Sequence, residues 1–161
     1  MPVIVSFIGP SNSGKTSLID RLVRELITTH RVCVIKNDPS DKAEFDRPGK
    51  DSFKFFQAGA DVFVTSPRRT TFFAHYPSRL KDLLPLIKEY DLVLVEGMRY
   101  LQLPTIAVFH KRVEEDYLPF ANAYTVRDGQ VSGMVVTAEY LDYTDTSAFI
   151  RWILQQEEYR I

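Results

Sequence analysis

A single cysteine, Cys33, in a chain of 161 residues excludes an internal disulfide as a source of stability. It sits in the apolar run Val32-Cys33-Val34-Ile35, with no nucleophile signature nearby, and is expected to be a packed, inert thiol. The three histidines, His30, His75 and His110, lie too far apart for metal-ligand spacing, so all read as structural or exposed. No apolar run approaches the roughly 18 residues of a membrane span. The opening residues lack the basic and apolar regions of a secretory leader, so the expected location is cytoplasmic. A net charge of −1 gives no reason to expect a nucleic-acid partner. Internal repeats and low-complexity segments are also absent.

What is present is ordinary for a globular protein, 45% hydrophobic and 25% charged, with 11 Phe and 8 Tyr to fill a sizeable core. The length points to one domain, or one with a small appendage, and the expectation is a single nucleotide-binding domain over residues 1–161.

That expectation rests on Gly9-Pro10-Ser11-Asn12-Ser13-Gly14-Lys15-Thr16, which fits the phosphate-loop pattern G-x-x-x-x-G-K-[ST]. An apolar strand pattern leads in and an amphipathic helix pattern leads out, and this context separates a phosphate loop from an accidental match. Ser11, Asn12, Ser13, Gly14, Lys15, Thr16 and Ser17 are therefore expected to face a nucleotide's phosphates, largely through backbone N–H groups. Lys15 would neutralise β- and γ-phosphate charge, and the Thr16 hydroxyl would serve Mg²⁺.

The rest of the chain alternates strand and helix patterns. A strand over residues 3–9 precedes a helix whose stripe is Leu18, Ile19, Leu22, Val23, Leu26 and Ile27. A second strand over residues 31–36, expected beside the first, completes a βαβ unit. A charged stretch over residues 37–52 then leaves the carboxyl side of the sheet, where ligands bind in open α/β folds. A short helix closed by Gly59 follows, then strands over residues 61–66 and 70–76 that can pair with each other. A helix near Leu80, Leu83, Leu84 and Ile87 is either kinked at Pro85 or starts late. Asp91-Leu92-Val93-Leu94-Val95-Glu96-Gly97 is a strand of buried type, and residues 104–110 form another. Asp128-Gly129 signals a hairpin between residues 123–126 and 131–136. A final helix over residues 146–156 has Asp145 near its start, with Phe149, Ile150 and Ile153 turned inward. The fold class expected is α/β, a P-loop NTPase-like mostly parallel sheet with helices on both faces and some antiparallel strands or a hairpin at the periphery.

Phosphoryl chemistry needs a metal and an oriented attacking oxygen besides the cradle. Glu96 is the first choice for the carboxylate, because it ends a buried strand at the same sheet edge as the loop. The alternative is a strand-end Glu that is merely solvated. Asp38 and Asp46 come next, since a segment like 37–52 can order around Mg²⁺ and a γ-phosphate. Arg68-Arg69 and Arg99 read as surface charges that could also meet an anion. Base choice stays open. No Asn-Lys-x-Asp guanine-reading motif is present, and Pro10 stands where dimeric ATPases with deviant loops carry a second lysine. The residues alone give a Mg-nucleoside-triphosphate binder, and two of the function classes open to it are a P-loop small-molecule kinase and a module that binds nucleotide without turning it over. No arginine-rich lid cluster appears late in the chain, which weighs against the kinase.

Several segments together resemble the molybdopterin-guanine dinucleotide biosynthesis adaptor (MobB) family. They are residues 9–18, Val34-Ile35-Lys36 with Asp38, Asp46-Arg47-Pro48-Gly49-Lys50-Asp51-Ser52, Ala58-Gly59-Ala60 and Leu94-Val95-Glu96-Gly97. The likeness covers about the first 110 residues. It implies a GTP-binding homodimer with weak, Mg²⁺-dependent GTPase activity. It also implies a role beside the molybdenum cofactor guanylyltransferase, with molybdopterin as a further ligand. It places phosphates on Asn12 to Ser17, Mg²⁺ on Thr16 and Glu96, and Asp46, Lys50 and Asp51 in a mobile loop, so that Glu96 and Asp46 are the implied catalytic carboxylates. The family carries a Lys-His-Asp-His-His type run after the second strand. Here that place reads Lys36-Asn37-Asp38-Pro39-Ser40-Asp41, so no histidine role carries over.

Overall fold

The structure, a computed structural model, describes residues 1–44, 46–76, 79–129 and 137–159. They form two compact units, Met1–Asn37 with Pro85–Ile161, and Asp38–Leu84, the second inserted in sequence between the halves of the first.

The larger unit is built on a six-stranded parallel sheet. Its strands are β1 (Val3–Ile8), β2 (Val32–Lys36), β5 (Leu92–Glu96), β6 (Thr105–Phe109), β7 (Ala123–Val126) and β8 (Glu139–Tyr140). They run in the order β2-β5-β1-β6-β7-β8. β1, β5 and β6 are almost wholly buried, which is why they read as unbroken apolar runs. The residues of β1 alternate between the faces. Val5 and Phe7 join Leu92, Leu94, Ile106 and Val108 beneath α1 (Lys15–Leu26) and α4 (Thr146–Leu154), with Phe149, Trp152 and Ile153 of α4 closing that layer. Ile8 turns the other way, with Ala107, Phe109, Tyr124 and Val126, against Tyr117 and Leu118 of a 3₁₀ turn at Glu115–Phe120. Asp145 caps α4, its Oδ1 accepting from the Ala148 amide at 3.0 Å.

Three expectations are corrected here. β2 is not beside β1, because β5 is inserted between them and β2 takes the sheet edge. Cys33 is consequently half-buried rather than packed away, although burial still pushes its thiol above the usual range and keeps it unreactive. Ile27 also leaves the helix stripe and is 61% exposed. At about 100° per residue, the nine steps from Leu18 place Ile27 about 180° away, on the opposite face. Val23, at an intermediate angle, is half-buried.

The inserted unit holds α2 (Asp51–Gln57) and an antiparallel hairpin, β3 (Val62–Ser66) with β4 (Arg69–Phe73), in register Val62↔Phe73 to Ser66↔Arg69. The helix α3 (Leu80–Ile87) starts ahead of Pro85 and runs through it, which excludes the late start. The return strand expected over residues 131–136 lies outside the described residues. Among the described residues no helix is long and apolar enough to cross a membrane.

Candidate functional site

The loop after β1 is held at its two ends by close backbone approach. A Cβ at Gly9, whose φ is +138°, would stand 2.1 Å from the Val108 carbonyl oxygen of β6. Gly14, at φ +103°, has the Tyr143 hydroxyl and the Arg127 Cδ at 2.8 and 3.0 Å from where its Cβ would be. Only glycine fits either place. Between them Ser11 and Asn12 are exposed, Asn12 taking a left-handed turn at φ +60°, while Ser13 is 1% exposed. Gly14 and Lys15 are half-buried, and Thr16 and Ser17 open the first turn of α1 on its exposed side. No side chain caps α1, so its first amides are left to meet an anion.

The Lys15 ammonium donates to the carbonyls of Gly9 at 2.9 Å and Pro10 at 2.6 Å, and to Ser13 Oγ at 3.4 Å. All three partners are neutral. Burial lowers the Lys15 pKa from its ordinary value, with the nearby Glu96 charge opposing the shift and Lys36 adding to it. A half-buried cation ringed by neutral dipoles and helix-start amides suits a phosphate ligand.

Glu96 ends β5, beside β1. It meets the loop directly, Thr16 Oγ1 donating to Glu96 Oε1 at 3.0 Å. Its other oxygen, Oε2, lies 3.8 Å from Lys36 Nζ, on the register partner at the end of β2. The hydroxyl and carboxylate are hard oxygen donors of the kind Mg²⁺ takes. Among the described residues no group of three or more His, Cys, Asp or Glu could hold a metal alone. Thr16 and Glu96 therefore fit an ion whose remaining ligands are phosphate and water oxygens, the usual Mg²⁺ arrangement.

Asp38 and Asp46 belong to the inserted unit. Asp38 organises its own turn, its Oδ2 accepting from the amides of Lys42 and Ala43 at 2.7 and 2.6 Å. The Ala43 amide, first among these, holds its carboxyl below the usual range. This is a structural role. Asp46 Oδ1 accepts from the Arg47 amide at 2.8 Å, whereas its Oδ2 is buried without a partner among the described residues. His75 stacks on Phe56 at 3.8 Å, in keeping with a structural reading. Arg99 lies over the rings of Tyr100, Tyr117 and Phe120.

Sequence reasoning passed over three neighbours of the loop. Lys36 is one. Tyr143 is another, its hydroxyl donating to the Gly14 carbonyl at 3.1 Å while the Arg21 guanidinium lies 4.8 Å over its ring. Arg127, beyond the end of β7, is the third. No local pattern marks Tyr143, but Arg127 directly precedes a turn signal at the carboxyl end of a strand, a position where ligands gather.

The profile of the MobB family, described as Molybdopterin guanine dinucleotide synthesis protein B, matches residues 4–127. A molybdopterin-guanine dinucleotide biosynthesis adapter protein of Haemophilus influenzae is 32% identical over 130 residues, covering 76% of this chain and 71% of that protein. A Methanocaldococcus jannaschii protein named as a putative adapter of the same biosynthesis is 27% identical over 131 residues, 78% of this chain. The match spans 55% of that relative's length, little more than half. The solved structure of a molybdopterin-guanine biosynthesis protein B superposes with a TM-score of 0.73 at 27% identity, covering 94% of this chain and 97% of the other.

Proposed function

The chain belongs to the MobB family, and on that premise we propose that it is a GTP-binding adaptor in molybdopterin guanine dinucleotide biosynthesis, with weak Mg²⁺-dependent GTPase activity. The adapter part of this reading is supported by the family match and by the relatives' names. The nucleotide part is carried by one observation, the neutral-ringed Lys15 ammonium beside the Thr16–Glu96 pair. In this reading Lys15 and the amides of Ser11, Asn12, Ser13, Gly14, Lys15, Thr16 and Ser17 bind and orient the triphosphate. Mg²⁺, when bound, supplies charge neutralisation at the β- and γ-oxygens. Thr16 and Glu96 would hold it, and Glu96 is proposed as the first functional carboxylate. Asp46, with a buried oxygen that has no partner among the described residues, is proposed as the second functional carboxylate.

The experiment that tests this is a calorimetric panel of GTP, ATP and their diphosphates with Mg²⁺. GTP is expected to bind in preference to ATP, with slow release of phosphate. Equal affinity for the two triphosphates would remove the guanine assignment, and no binding to any would remove the nucleotide reading.

The adaptor is further proposed to act as a homodimer, beside the molybdenum cofactor guanylyltransferase and its molybdopterin substrate. The hairpin of the inserted unit supports self-association. A two-stranded sheet is marginal alone, and among the described residues neither outer edge pairs with a further strand. It also exposes Phe63 (67%) and Phe72 (36%), stacked 4.2 Å apart on one face, and Val64 (41%) on the other. Sedimentation of the wild type is expected to give twice the chain mass, and Phe63→Ser to shift it toward the monomer. A monomeric wild type at tens of micromolar refutes the dimer.

A further inference from the structure

On the side of β1 away from Glu96, the carboxyl ends of β6 and β7 carry three polar side chains that the phosphate site does not use. Asp128 Oδ2 accepts from Arg127 Nε at 2.9 Å and lies 2.9 Å from His110 Nε2. Arg127 Nη2 is also 2.9 Å from His110 Nε2. The backbone locks these groups in place. The Arg127 amide donates to the Phe109 carbonyl at 2.8 Å and the Asp128 amide to the His110 carbonyl at 2.7 Å. A Cβ at Gly129 would stand 2.0 Å from the Lys111 carbonyl oxygen, so the two strand ends are pressed together. The cluster is continuous with the phosphate loop, because Arg127 Cδ packs against Gly14.

A triphosphate seated on the loop, with its γ end toward Thr16 and Glu96, directs its nucleoside to the opposite side of β1. That is where the cluster stands. We infer that Asp128, held by the Arg127 Nε hydrogen bond with His110 beside it, reads the base of the nucleotide, and that the base it selects is guanine. The inference rests on the proposed binding of a triphosphate at Lys15. Guanine presents two adjacent donors, N1–H and the N2 amino group, to which a carboxylate is complementary. Adenine presents one donor beside an acceptor nitrogen, which a carboxylate repels. Both contacts to Asp128 from Arg127 and His110 go to Oδ2, and among the described residues Oδ1 has no partner. The Arg127 hydrogen bond, ahead of the contribution from His110, keeps the Asp128 carboxyl below its usual range and so ionised at neutral pH. Arg127 is the positioning residue in this arrangement, and His110 packs beside the pair. The missing Asn-Lys-x-Asp motif is then replaced by a carboxylate delivered from the end of β7, two strands from β1.

The test compares GTP, inosine triphosphate, xanthosine triphosphate and inorganic tripolyphosphate on the wild type and on Asp128→Asn. In the wild type, inosine triphosphate, which lacks the N2 amino group, is expected to bind about 10-fold or more weaker than GTP. Asp128→Asn should weaken GTP about 10- to 100-fold and strengthen xanthosine triphosphate, whose C2 carbonyl accepts from the amide. Tripolyphosphate, which has no base, should bind both proteins alike. Equal wild-type affinity for GTP and inosine triphosphate overturns the inference without any variant. So does unchanged GTP affinity in Asp128→Asn, or a parallel loss of tripolyphosphate, which would make Asp128 a support of the loop. Loss of wild-type binding to every probe overturns the triphosphate site itself, and the base inference with it.

Discussion

Lys15→Ala is expected to abolish nucleotide binding measurable by calorimetry, while the protein stays folded. The ammonium sits at the centre of the loop, donating to the Gly9 and Pro10 carbonyls and to Ser13 Oγ. A charge-assisted hydrogen bond contributes about 1.5–3 kcal/mol, and a lysine bridging two phosphate groups makes at least two. Their loss corresponds to a fall of roughly a hundredfold or more in affinity. The fold should tolerate the change better than the site does. Burial already disfavours the charged form, so removing it relieves a desolvation cost while forfeiting bonds to loop carbonyls. The melting temperature should therefore move little. Retained GTP affinity in a folded Lys15→Ala protein would remove the phosphate-loop assignment, and a large fall in melting temperature would make Lys15 a structural clamp of the loop.

The same physical reasons decide which features were legible in the chain. β1, β5 and β6 are covered on both faces, so burial itself writes continuous apolar runs such as Leu92-Val93-Leu94-Val95. The phosphate loop was legible because close approach to Val108 and to Tyr143 leaves room only for glycine at positions 9 and 14. Strand order was not. Nothing local in Val32-Cys33-Val34-Ile35 says that β5 comes between it and β1, and only the half-buried pattern of an edge strand records it afterwards. Ile27 misled because a stripe written at i, i+4 and i+8 drifts about 40° per step and leaves the buried face by its end. The polar cluster near the loop was the hardest to see. Tyr143 lies 129 residues from Gly14 in sequence and touches it only through the sheet's crossovers. Asp128-Gly129 reads as a turn, and that turn chemistry hides a carboxylate fixed by Arg127 where two strand ends meet.

Glu96→Gln is expected to slow GTP hydrolysis about a hundredfold or more while leaving GTP affinity within a few-fold of the wild type. The substitution keeps the size of the side chain and an oxygen that can accept from Thr16 Oγ1, now 3.0 Å from Oε1. What it removes is charge. A neutral amide holds Mg²⁺ less strongly and cannot take a proton from water, and displaced general-base and metal contributions are commonly worth about 10²–10⁴ in rate. Lys36, 3.8 Å from Oε2, would lose its anionic neighbour. The Lys15 pKa would drop further, since Glu96 is the group that raises it. Binding survives because the loop amides and Lys15 still hold the phosphates. Two measurements separate the roles. If Glu96 acts through the metal, the hydrolysis rate of the variant should climb with added Mg²⁺ well beyond the concentration that saturates the wild type. If it acts on water, the rate should stay low at all Mg²⁺ concentrations. Unchanged hydrolysis across the Mg²⁺ series would reduce Glu96 to a structural partner of Thr16 and Lys36, and the search for the working carboxylate would move to Asp46.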